Sequence, residues 1–189
     1  RGVRNDPGGV IADAILRGGG EYGETWHAGG KHLKKQNVFD DFMACGECLV
    51  DAKYTSPDRI AAIGGSNGGL LMGAVITQAP SQFRAVVSAV GIYDMLRVEL
   101  DPNGAFNITE FGSVKDRAQF DALYAYSPLH HVIAGTKYPA VLLLTGANDG
   151  RVNPLHSRKF AAALQAAQGD PTRPILLRTS KTSGHGIGS

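Results

Sequence analysis

The chain has 189 residues, 19 basic and 17 acidic side chains, a formal net charge of +2 and 43% hydrophobic residues. This length suits one domain that buries roughly 70% of the surface its unfolded form exposes, and so even a charge balance argues against a nucleic-acid or membrane surface as the main partner. No apolar run reaches the length of a membrane span, and no signal peptide is visible.

In chain order, residues 10–17 are expected to form a strand. The one basic run, "GKHLKKQN" at residues 30–37, reads as a solvated loop. Residues 37–54 predict a helix, because Phe39, Phe42, Met43, Gly46, Leu49 and Val50 recur on one face; Asn37 and Asp40 resemble a capping pair at its start. Cys45 and Cys48 form C-x-x-C well inside that helix. A redox pair is expected where a helix opens after a strand, so these two are read as ordinary helix residues.

Residues 59–63 predict a short strand, and Leu70, Leu71, Met72, Ala74 and Val75 a buried helix stopped before Pro80. Between them Gly64, Ser66 and Gly68 match G-x-S-x-G, the nucleophile elbow, in which a sharp strand-to-helix turn presents the serine oxygen above a sheet. The pentapeptide also occurs in ordinary turns and phosphate loops, but a phosphate loop would need Gly-Lys-Ser/Thr, and no lysine follows here. A strand is expected at residues 85–90. Residues 94–132 are less regular, with a turn at "DPNG" and a short helix around 116–124; they read as an insertion on the side where specificity is set. A strongly apolar strand at 140–144 leads to Asp149 in "ANDG", a helix follows at 154–167, and a last strand at 175–177 precedes His185 in "TSKTSGHGIGS". Strands separated by helices imply an α/β fold with a parallel, doubly wound sheet flanked by helices.

A serine alone is not a nucleophile at neutral pH; it needs a base and a carboxylate to orient that base. Asp149, taken alone, reads more readily as a turn-former in "ANDG", and His185 reads equally as an exposed loop histidine. The order Ser66, Asp149, His185, however, is that of α/β-hydrolases and of neither other familiar serine-protease arrangement. His27, His32, His130, His131 and His156 read as surface or packing residues, and no pair has zinc-ligand spacing with a carboxylate close by, so no metal or cofactor is expected.

Together, "RGGGEYGETWHAGGKHLKKQNVFDDF", "GGSNGGLL", "YSPLHHV", "LLLTGANDGRVNPLHSRKF" and "GHGIG" resemble the catalytic domain of the prolyl oligopeptidase family of serine peptidases, from about Ala14 to the C-terminal end. The resemblance implies an α/β-hydrolase catalytic domain over residues 1–189, acting on short peptides, with Ser66 as nucleophile, His185 as base and Asp149 orienting it. It further implies that the backbone N–H of Asn67 is one oxyanion donor, that Arg151 binds a substrate carbonyl, and that Ile92, Phe111 and Val152 line the pocket for the residue before the cut. The tryptophan that stacks on proline in proline-specific members has no match, but Phe106 stands near its place. The family's first strands, its second oxyanion donor, a tyrosine hydroxyl, and its β-propeller are expected upstream of this chain. A carboxylesterase or acyl-aminoacyl hydrolase would use the same three residues; a fragment that binds without turnover is the alternative of another class.

Overall fold

Four apolar runs form one parallel sheet in the order β1 (Ala61–Gly65), β2 (Ala85–Ala89), β3 (Ala140–Gly146) and β4 (Ile175–Ser180). These elements come from a computed structural model, which describes residues 9–186. Parallel neighbours need long crossovers. Here α3 (Asn67–Gln78) joins β1 to β2, α4 (Gly104–Phe111) and α5 (Arg117–Tyr126) lie between β2 and β3, and α6 (Leu155–Ala167) joins β3 to β4. Two further helices, α1 (Glu24–Ala28) and α2 (Gln36–Asp51), precede β1.

The register aligns Ala62 with Val86, Val86 with Val141 and Val141 with Ile175, and all four are buried. α3 packs on β1 and β2 and is apolar nearly all round; Leu70, Met72, Ala74, Val75 and Ile76 are fully buried, as a central helix must be. Tyr93, just after β2, stacks on Phe160 of α6 with ring centroids 4.5 Å apart, and both belong to the same core cluster as Leu70, Met72 and Ile76 of α3. Shortening Leu70 or Phe160 to Ala there costs about 3–5 kcal/mol. Side chains alternate across a strand, and the opposite row, Ile63, Val87, Leu142 and Leu176, is less covered: Ile63 is 55% and Leu176 53% exposed.

Several expectations need correction. Residues 10–17 carry no strand. Their alternation is strand-like but no neighbour supplies a ladder; instead Asp41 takes both the Arg17 amide and guanidinium, and the Trp26 indole N–H donates to the Leu16 carbonyl at 2.7 Å. Asn37 and Asp40 do not cap α2. Asn37 donates to the Gly29 carbonyl and Asp40 accepts from Gln36, while the N-cap is Lys35, whose side chain makes no capping bond. The basic run is not simply solvated, because Lys35 is buried against Glu110. The irregular segment also holds α4, hidden by the Gly, Asn and β-branched residues of "GAFNITEF", which are poor helix formers. The expected 116–124 helix is α5, begun by the Asp116 carboxylate accepting from the Gln119 amide at 2.9 Å.

Candidate active site

Ser66 lies between the end of β1 and the start of α3 with φ 57° and ψ −117°, a conformation that costs a non-glycine residue on the order of 1–3 kcal/mol. Its surroundings hold it there: the Ser66 amide donates to the Ala89 carbonyl at 2.9 Å, and the amides of Gly69 and Leu70 donate to the Ser66 carbonyl. At Gly64 a Cβ would stand 2.3 Å from the Gly68 carbonyl oxygen. The turn therefore closes only with glycine at that position. Asn67 opens α3, so its N–H has no helical carbonyl to bond and is free to face a ligand.

The turn after β3 brings the carboxylate. Asp149 Oδ1 accepts from the backbone amides of Arg151 and Val152, both at 2.9 Å, and its side chain is fully buried. The loop after β4 is laid against the same turn, backbone on backbone. The Ala147 amide donates to the Ser180 carbonyl, the Asn148 amide to the Ser183 carbonyl, and a Cβ at Gly146 would come 2.3 Å from the carbonyl oxygens of Ser183 and Gly184.

This seating brings three distant residues into one chain of hydrogen bonds. His185 Nδ1 donates to Asp149 Oδ2 at 2.9 Å, which leaves Nε2 to accept from the Ser66 hydroxyl at 3.0 Å. A carboxylate can only accept, so the tautomer with a free lone pair on Nε2 follows from the Asp149 contact. Such a group can take a proton from Ser66 and later return it to a leaving group.

Of the other expected site residues, Ile92, Phe111 and Val152 are buried in one hydrophobic cluster, at 4%, 3% and 7% exposure, whereas Phe106 is 70% exposed. Arg151 is exposed beside Asp149. Two cavities are lined by other residues, one between α6 and the segment after β2 and one beside α2; neither lining includes Ser66.

A charged cluster beside Ser66 was not foreseen. The Asn67 side chain donates to Glu110 Oε1 at 3.3 Å; the same carboxylate pairs with Lys35 Nζ at 2.9 Å and with His27 Nε2 at 3.3 Å. Lys35 also lies over the Phe111 ring, 5.1 Å from its centroid. Burial lowers the Lys35 pKa against the pull of Glu110. Burial opposes the charge on Glu110 as well, but Lys35, His27 and Asn67 outweigh it and hold its carboxyl below the usual range. Residues 75 apart in the chain make the ion pair, and neither sits in a motif that could have pointed to it.

The family described as the prolyl oligopeptidase family matches residues 3–189. A prolyl endopeptidase from Dictyostelium discoideum is 45% identical over 182 residues, 95% of this chain and 24% of that protein. A solved prolyl endopeptidase structure aligns with a TM-score of 0.87 at 51% identity, covering 90% of this chain and 25% of the other. Oligopeptidase B from Leishmania major aligns with a TM-score of 0.86 at 36% identity, again over 90% of this chain and 24% of the other. The chain thus spans about a quarter of the length of the relatives it matches.

Proposed function

This chain belongs to the prolyl oligopeptidase family, and we propose that it is an α/β-hydrolase catalytic domain that hydrolyses peptide bonds through Ser66, His185 and Asp149. The observation that carries the proposal is the continuous relay from Asp149 Oδ2 through His185 to Ser66 Oγ, with heavy-atom distances of 2.9 and 3.0 Å. Ser66 Oγ attacks the peptide carbonyl carbon while His185 Nε2 takes its proton; buried Asp149 stabilises the imidazolium and fixes its orientation. The new Oγ–C bond leaves an oxyanion, toward which the Asn67 N–H donates. His185 then protonates the leaving amine as the C–N bond breaks, and water, deprotonated by the same base, cleaves the acyl-enzyme.

The surroundings favour an uncharged side chain before the cut. Ile92, Phe111 and Val152 are apolar, and the neighbouring Glu110 is already paired with the Lys35 ammonium, so it has little charge to offer a basic substrate residue. Arg151 would hold a substrate carbonyl, and exposed Phe106 would cover a proline ring. Short peptides as substrates, and a β-propeller in the whole protein that admits only such peptides, belong to the same proposal. Its support is that this chain spans a quarter of its relatives' length.

The test is kcat/KM on matched peptides with Pro, Phe or Arg before the cleaved bond, with the corresponding ester alongside. Proline is expected to exceed arginine at least tenfold. A preference for arginine, or turnover of the ester alone, overturns the assignment.

A further inference from the structure

We propose that Asp101 and His156 form a clamp that positions the substrate-binding turn of this site, an inference that rests on the peptidase reading above for its functional meaning. Asp101 lies just before α4, in the "DPNG" turn, and His156 in the first turn of α6. The Asp101 carboxylate spans the gap between them, its Oδ2 accepting from His156 Nε2 at 3.1 Å and its Oδ1 from the Asn153 side chain at 3.3 Å. Asn103 adds a third tie by donating to the Gly150 carbonyl.

The other side of the imidazole reaches a third segment. His156 Nδ1 accepts from the backbone amides of Tyr93 and Asp94, at 3.2 and 3.1 Å, directly after Ile92. One buried ring, 5% exposed, therefore joins the ends of all three segments that bear expected substrate contacts: Ile92, then Phe106 and Phe111 on α4, then Arg151 and Val152. A loss of position of about 1 Å at such residues costs on the order of 100-fold in rate, and packing alone does not hold this junction, because a cavity of about 100 Å³ opens beside it, lined by Asp94, Arg97, Asp101, Asn153, His156 and Lys159 among others.

The ring must be neutral to act this way, since Nδ1 accepts two amide hydrogens while Nε2–H donates to Asp101. Burial disfavours its charged form and lowers its pKa, against the pull of Asp101 and Asp94 and with the help of Lys159. Arg97 and Lys159 pair with Asp94, and His130 lies 3.9 Å from it, so the charges facing the ring from α6, from the turn after β2 and from the 3-10 turn after α5 largely compensate. Protonation of Nδ1 would release the Tyr93 and Asp94 amides.

The experiment compares the chain with its Asp101→Ala, Asp101→Asn and His156→Asn variants in two readouts. Amide hydrogen exchange at Arg151 and Val152 reports the turn without reference to catalysis; it is expected to speed at least tenfold in Asp101→Ala and less in Asp101→Asn, which keeps one acceptor. His156→Asn keeps an acceptor for Tyr93 and Asp94 but loses Asp101, and is expected to match Asp101→Ala. Exchange at wild-type rates in folded Asp101→Asn and His156→Asn overturns the clamp. In the second readout, a peptidyl diphenyl phosphonate should bind about tenfold more weakly to Asp101→Ala with its saturated inactivation rate changed less than twofold, while a small fluorophosphonate reacts as before. Equal binding overturns the positioning role. A small fluorophosphonate that leaves even the wild type unmodified sinks the peptidase reading instead, and the exchange result still decides whether the clamp exists.

Discussion

Gly64 and Gly68 flank the same serine in the same five-residue motif, yet their surroundings differ. A Cβ at residue 64 would collide with the Gly68 carbonyl oxygen, whereas one at residue 68 meets nothing within 4 Å. Gly64→Ala must therefore push the elbow open, at about 1–3 kcal/mol for the overpacking, and it moves Ser66 with it. Gly68→Ala, at an open helical position, should be neutral or stabilising by up to about 1 kcal/mol. Denaturant midpoints of the two variants check this; equal losses would mean that the turn is not closed as described. The residue scale is also where the sequence was most legible. G-x-S-x-G is local, so Ser66 could be found from its neighbours, and the order of Asp149 and His185 did the rest. Ser66 is not alone in its strain: Val90, a β-branched residue, has φ 46° at the end of β2 and donates its amide to the Leu144 carbonyl at 2.8 Å. No composition rule points to a valine there, since its conformation is imposed by the neighbouring strand.

At the scale of elements, the strands β1 to β4 and the helices α2, α3, α5 and α6 were legible because each carries its own period or apolar run, and boundaries moved by only a few residues. What stayed hidden was set by partners far along the chain. Residues 10–17 alternate like a strand without finding one. Lys35 looked solvated and is buried, because α4 delivers Glu110 to it from 75 positions away. That pair ties the segment before α2 to α4 and steadies Asn67 through Glu110. Removing one partner of a buried pair strands the other charge, so Lys35→Met is expected to lose on the order of 3 kcal/mol, at the low end because Glu110 retains some solvent. Lys35→Met combined with Glu110→Gln should recover most of that loss. Urea unfolding of the single and double variants decides the matter: a double variant no more stable than the single one would show that the stranded charge is not the cause.

Across the whole molecule, one parallel sheet does the work of assembly. The tips of β1, β3 and β4 all end on the same side of the sheet, which is where parallel α/β sheets place ligands, and each delivers one member of the relay, from Ser66 to His185 across 119 positions. The sheet's two faces differ in cover, the row from Ile63 to Leu176 being the more exposed, but the relay depends on the tips and not on that face. The backbone contacts of Gly146 with the His185 loop mean that Asp149 and His185 are placed together, and Ser66 meets them only if the β1–β2–β3–β4 order is intact. The measurement that tests this most directly is the intact mass of the chain after exposure to a small fluorophosphonate, beside Ser66→Ala and His185→Ala. One adduct on the wild type, none on Ser66→Ala and labelling at least 1,000-fold slower on His185→Ala, on the scale of losing a triad member, is the predicted result. No adduct on a wild-type chain that unfolds cooperatively, or an adduct that survives Ser66→Ala, would contradict it.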